Sequence, residues 1–245
     1  MRRRAFLAVV GGVAITGCAG DETEEADDTT NGGDDDSGTS GDEGTEDDTE
    51  TGGEPNVEIV DHELIVEEGD FSTEVYVDAT VENTGDIPSG TIELMADWHD
   101  EDGNYLDNDS GYLQSLGAGE TWNAQVRYLG SGSEAVADYE FDGEYETEPP
   151  EFNPDGLELL DSEMETGEDN VLIQGEIANE TGDEASYIQV IGKLYGDDDL
   201  VLSDEWTNVT DVPADETWSF DLEWIQYDEP EEITDYEILY TMSSF

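Results

Sequence analysis

The chain has 245 residues, of which 69 are Asp or Glu and five are Lys or Arg, for a formal net charge of −64 at pH 7. Such a polyanion repels phosphate, so binding to nucleic acid, or to an anionic lipid surface through basic residues, is excluded. Self-repulsion opposes compaction in dilute buffer, whereas molar salt shortens the Debye length to about 3 Å. Because the acids are spread along the whole chain rather than gathered in one tail, the balance reads as adaptation to high salt.

The few cations are unevenly placed. Arg2, Arg3 and Arg4 precede residue 18, where there is no acid, and only Arg127 and Lys193 follow. Residues 1–17 have the three-part layout of an export signal: basic residues, an apolar run over 5–15, then small residues before Cys18. The run is too short to span a bilayer, which takes about 20 residues.

Two motifs refine this. Arg3-Arg4-Ala5-Phe6-Leu7 resembles the twin-arginine export motif through Arg3, Arg4, Phe6 and Leu7. Ile15-Thr16-Gly17-Cys18 resembles a lipoprotein lipobox, an aliphatic residue and two small ones before the cysteine that takes the lipid. The expectation is a removed signal peptide at 1–17 and a mature chain tied to the membrane through a lipid on Cys18, the only cysteine, on the extracellular face of the cell membrane. With the acid balance, it resembles the exported lipoproteins of halophilic archaea.

Beyond Cys18, residues 19–54 carry 16 acids among small residues, with no Val, Ile, Leu or aromatic side chain. Too little apolar surface is present to offset the entropy of ordering, so 18–54 is expected to be a disordered acidic tether. A flexible coil of that length spans about 30–36 Å, more with self-repulsion.

Past Pro55 an internal repeat begins. Val75-Tyr-Val-Asp-Ala-Thr-Val81-Glu-Asn83 matches Val171-Leu-Ile-Gln-Gly-Glu-Ile177-Ala-Asn179 at an offset of 96, as does Glu120-Thr121-Trp122 over Glu216-Thr217-Trp218. Two copies of one domain are therefore expected, over 55–145 and 157–245, joined by a Pro-rich linker at 146–156.

Within each copy apolar residues alternate. Val75, Val77, Ala79 and Val81 share a face, as do Ile92, Leu94, Ala96 and Trp98, and Trp122, Ala124, Val126 and Tyr128. The second copy follows with Val171, Ile173, Gly175 and Ile177, then Ile188, Val190, Gly192 and Leu194, then Trp218, Phe220, Leu222 and Trp224. Counting shorter runs near 57–66, 105–106, 112–116 and 139–141, about seven strands per copy predict an all-β chain of two tandem immunoglobulin-like β-sandwich domains.

The layout of a strand ending in Asn, a Thr-Gly-Asp turn, an acidic hairpin and a Gly-Glu-Thr-aromatic strand start resembles the FxLyD domain, over 57–141 and 157–240. Gly192-Lys193-Leu194-Tyr195-Gly196 keeps the Leu and Tyr of its signature, while Ala96-Asp97-Trp98-His99-Asp100 keeps only the Asp. The resemblance implies an exported β-sandwich without enzymatic activity, and it supplies no catalytic residue.

Little chemistry is assembled in the sequence itself. His62 and His99 are the only histidines, and neither recurs in the second copy. A copper centre of two His and a Cys thiolate is excluded once Cys18 carries a lipid, and no elbow motif supports a serine triad. Asp100 and Asp102, with Asp197 and Asp199, are weak calcium candidates in acidic hairpins, but the twelve-residue loop with its closing Glu is missing. Trp122 and Trp218 are candidate sugar platforms whose period-two setting favours core packing. Asn108, Asn179 and Asn208 head N-glycosylation sequons. The expected function is non-catalytic and needs no cofactor: binding of an envelope or membrane protein, with an extracellular carrier of a divalent cation, sugar or peptide as the alternative.

Overall fold

Period-two alternation without a competing helical period carries the chain into strands. The computed structural model describes residues 4–6 and 8–9 by their backbone, and 53–69, 73–167, 170–225 and 232–243 in full. Among these residues the chain is all-β, with two short 3-10 turns. Two short strands, β1 (Arg4–Phe6) and β2 (Ala8–Val9), precede the repeat. The first copy supplies β3 (Val57–Glu68), β4 (Thr73–Asn83), β5 (Ile92–His99), β6 (Tyr105–Leu113), β7 (Thr121–Arg127) and β8 (Asp138–Glu146). The second supplies β9 (Leu157–Thr166), β10 (Asn170–Asn179), β11 (Ala185–Tyr195), β12 (Val201–Val212), β13 (Thr217–Ile225) and β14 (Asp235–Thr241).

The pairing repeats with the sequence. In the first copy β4 lies between β3 and β7, and β5 between β6 and β8; in the second β10 lies between β9 and β13, and β11 between β12 and β14. Each copy thus has six strands among the described residues, not about seven. The difference lies at 105–116, where two short apolar runs were expected to be separate strands. The polar stretch Asp107-Asn-Asp-Ser-Gly111 between them continues as β6, because its backbone pairs residue by residue with β5, Trp98 facing Asp107 and Leu94 facing Gly111. Backbone pairing overrides the low strand propensity of Asp, Asn and Gly.

The copies are also less separate than tandem sandwiches would be. A parallel bridge between Val201 and Trp122 joins β12 to β7, so one sheet runs β14-β11-β12-β7-β4-β3-β2 through both copies, flanked by the smaller sheets β1-β8-β5-β6 and β13-β10-β9. Val201 of the second copy is fully buried in the first copy's core, beside Val77, Val81, Trp98 and Leu113. The second core gathers Ile173, Ile177, Val190, Leu194 and Leu222. Each such aliphatic side chain contributes about 1.5–3 kcal/mol on burial. Gly192, which replaces the Ala96 of the first copy, is the site of a close approach: a Cβ there would lie 2.7 Å from the Leu222 side chain.

One buried polar device recurs at the end of the second strand of each copy. Asn83 is fully buried; its Nδ2 donates to the carbonyls of Ile87 (2.9 Å) and Leu116 (2.8 Å), and its Oδ1 accepts from the backbone N–H of Asn56 and of Gly85. Asn179 does the same with the carbonyls of Asp183 and Val212 (both 2.9 Å) and with the Thr181 N–H and hydroxyl. The Thr-Gly-Asp turns seen in the sequence fold around these amides, which satisfy backbone groups that strand pairing leaves open.

Candidate functional site

The joint between the copies gathers polar groups around one buried lysine, Lys193. On β11, Lys193 and Tyr195 are two residues apart and so share a face. Across the sheet Lys193 stands in register with Asp204 of β12 and Glu237 of β14. From the first copy comes Glu120, just before β7, in a turn closed by its own side chain: the Gly117 N–H donates to Glu120 Oε2 at 2.6 Å.

These groups meet. Lys193 Nζ donates to Glu120 Oε2 at 2.8 Å, with the lysine side chain 3% and the carboxylate 24% exposed. Tyr195 Oη donates to Glu120 Oε1 at 2.7 Å and lies 3.1 Å from Glu237 Oε2. The Asp204 carboxylate accepts the Gln114 backbone N–H at 2.6 Å, a third bond from copy to copy. Trp122 adds a weaker fourth, Nε1 to the Leu202 carbonyl at 3.4 Å.

Titration follows from these surroundings. Desolvation pushes the Glu120 carboxyl up, but the Lys193 ammonium, with hydrogen bonds from Lys193, Tyr195 and Gly117, outweighs it and holds the group below its ordinary value. Burial drives the Tyr195 phenol well above its ordinary value, reinforced by the carboxylates of Glu120 and Glu237. Burial likewise raises the Asp204 carboxyl to about 7, only partly countered by the Gln114 N–H and by Lys193. The joint is therefore one cation shared among carboxylates, with Asp204 poised to hold its proton near neutrality.

Beside the joint lies a cleft of about 170 Å³ with residues of both copies in its walls. Asn123, Gln125 and Arg127 of β7 form one side; Leu202, Trp224 and Ile233 of the second copy form another. Arg127 donates to Glu74 Oε2 at 3.1 Å and to Gln125 Oε1 at 2.8 Å, and stacks over the Tyr76 ring.

The residues singled out from the sequence are dispersed. Cys18, Ile15, Thr16, Gly17, Arg3 and Leu7 lie outside the described residues, and Arg4 and Phe6 are described only as backbone of β1, where Arg4 pairs with Glu146 and Phe6 with Glu144 of β8. Asp100 organises the β5–β6 hairpin, accepting from Asn104 Nδ2 and from the backbone N–H of Asn104 and Asp102; the Asn104 bonds lead in holding its carboxyl below the ordinary range. Asp102 is exposed beside it, and Asp197 and Asp199 sit in the 3-10 turn before β12. Among the described residues no three His, Cys, Asp or Glu side chains converge as a metal site.

His62 packs against Phe141 and hydrogen-bonds through Nδ1 with the Tyr139 hydroxyl at 2.7 Å, while His99 sits edge-on to Tyr105. Trp122 is 4% exposed in the first core, and Trp218 packs against the second core beside Phe220. Asn108 and Asn208 are exposed on β6 and β12. Asn179 is corrected: it is fully buried with its amide spent on backbone carbonyls, so the folded protein has no room for a glycan there.

The joint itself was missed in the sequence. One signal marks it there: Lys193 is the only lysine of the chain. On β11 the face opposite Ile188, Val190 and Leu194 carries Gln189, Ile191 and Lys193, each 2% exposed or less, a burial that only the structure shows. No protein family's sequence pattern matches the chain, and no curated protein matches it, so the FxLyD resemblance rests on the residues quoted above.

Proposed function

We propose that the chain is a non-catalytic, lipid-anchored protein on the extracellular face of a halophile's cell membrane, whose two copies present a joint surface to an envelope or membrane protein. In this reading residues 1–17 are a twin-arginine lipoprotein signal, Cys18 carries the lipid, 18–54 is the tether, and 55–145 and 157–245 are immunoglobulin-like sandwiches of the FxLyD kind. The observation that supports it best is the joint. Part-buried bonds from Lys193 and Tyr195 to Glu120, and from Gln114 to Asp204, hold one copy against the other. A fixed pair offers one continuous face to a partner without the ordering cost of two swinging domains.

Covalent crosslinking on native cells in molar salt tests the reading. A specific membrane-protein neighbour, captured by the parent chain and not by a Cys18→Ser variant released from the membrane, is the expected result. Capture of no specific neighbour, or a lipid-free mature N-terminus by mass spectrometry, overturns it. A second reading, an extracellular ligand carrier, is favoured by one observation, the cleft beside the joint.

A further inference from the structure

The cleft has two chemically different walls. Along β7 the residues Trp122, Ala124 and Val126 are buried in the first core, so Thr121, Asn123, Gln125 and Arg127 point to the opposite face of the sheet. That ladder contains no acid. The equivalent ladder of the second copy, on β13, reads Thr217, Ser219, Asp221 and Glu223. In a chain with 69 acidic residues, a strand face of a threonine, two amides and a guanidinium is a departure, and it coincides with the wall of the cleft.

The hydrogen-bonding capacity there is partly uncommitted. Gln125 Oε1 receives Arg127 Nη2 at 2.8 Å and its amide N–H bonds the Asp78 carboxylate, leaving one lone pair on Oε1, and Arg127 is further held by Glu74, which neutralises it. The Asn123 side chain is half-buried in the cleft wall and makes no hydrogen bond among the described residues. Leu202, Trp224 and Ile233 contribute apolar surface from the second copy. At about 170 Å³ the cleft is smaller than the roughly 300–1,000 Å³ of clefts that hold drug-sized ligands.

We propose that this cleft binds a single pyranose ring, uncharged, with its C–H face against Leu202, Trp224 and Ile233 and its hydroxyls against Asn123 and Gln125. A sugar ring pairs an apolar face with a polar edge, the same division that the walls show, and a tryptophan is suited to the apolar side. The Arg127–Glu74 pair leaves no free cation for an anionic ligand, and Glu232, which also lines the cleft, repels one. The site gives the ligand-carrying reading its substrate class, and it depends on that reading for its biological use but not for its geometry. A free monosaccharide and the terminal ring of a surface glycan share this chemistry.

The test titrates the full chain in molar KCl with glucose, galactose and mannose, with their methyl glycosides, and with a disaccharide of each, followed by tryptophan fluorescence. Saturable binding of at least one ring is expected, weakened about tenfold by Asn123→Ala, the cost of one hydrogen bond. Asn123→Ala leaves no buried partner unsatisfied, so it keeps the fold; Asn123→Leu, which puts apolar bulk in the cleft, serves as the second variant and abolishes saturation. Binding of free sugars alone identifies a soluble monosaccharide, and binding of glycosides and disaccharides a glycan terminus. No saturation with any of the nine probes, or saturation unchanged in both variants, overturns the site. Because no partner protein or lipid enters this titration, its failure leaves the crosslinking result standing, and the reverse.

Discussion

Replacing the only lysine tests what locks the two copies together. Lys193→Met keeps the length and apolar stem of the side chain and removes its charge, leaving the Glu120 carboxylate without its cation. Breaking a buried ion pair from one side costs about 3–5 kcal/mol. Glu120 remains 24% exposed and keeps donors from Tyr195 at 2.7 Å and Gly117 at 2.6 Å. The loss should therefore fall to about 2–3 kcal/mol. With a urea slope of about 2 kcal/mol per molar, the midpoint moves down by roughly 1 M.

Urea in constant molar KCl is the assay, since guanidinium chloride would itself change the screening. Adding Glu120→Gln to Lys193→Met should restore part of the loss, giving a coupling of about 1 kcal/mol or more between positions in direct contact. The buried pair is little screened, so the effect should persist as KCl is raised. A Lys193→Met chain with an unchanged midpoint, or two substitutions whose effects simply add, refutes the assignment of the joint to this pair.

Asp204 gives a pH prediction of opposite sign to that of Glu120, whose carboxyl is held below its ordinary value. Its folded value of about 7 lies above the unfolded carboxylate value, so the folded state binds the extra proton and this group's contribution to stability falls as pH rises from about 4 to about 7. Asp204→Asn, which can still accept the Gln114 N–H, should flatten that part of the profile and stabilise the chain at neutral pH by about 2–4 kcal/mol relative to the parent; thermal melts that run parallel across this range would contradict it. Asn83→Ala and Asn179→Ala each remove two or more hydrogen bonds to backbone carbonyls and leave a backbone N–H without its side-chain acceptor, and should each cost about 2–4 kcal/mol, read by urea midpoints. Glycopeptide mapping of the exported protein should find Asn179 bare, with any occupancy confined to Asn108 and Asn208; a glycan on Asn179 would contradict its buried setting.

The parts of this fold written in local alternation were legible, and those made by distant pairing were not. Val75, Val77, Ala79 and Val81 read as one buried face and are one. The offset of 96 residues recurs in hydrogen bonds as well as in letters: the N–H of Asn83 donates to the carbonyl of Glu120, and that of Asn179 to that of Glu216. By contrast β6 hides its middle in a run of Asp, Asn, Ser and Gly, because only the facing β5 backbone makes it a strand. The second buried face of β11 could not be seen within one copy, since part of what covers it comes from the other. Asn179 shows the opposite failure: a sequon is a three-letter pattern and carries no record of burial.

The internal joint also bears on how one molecule could add to another. The surface that receives the second copy has its own repeat at the far end, where Glu216, the counterpart of Glu120, is exposed. A neighbouring molecule could seat its first copy there by the same geometry only if it brought a cation, but the counterpart of Lys193 is Asp97. Carboxylate would then face carboxylate, and head-to-tail growth into a fibre is disfavoured by the charge that makes the internal joint hold. One lysine, present in one copy and replaced by an acid in the other, sets the internal joint apart from any contact between molecules.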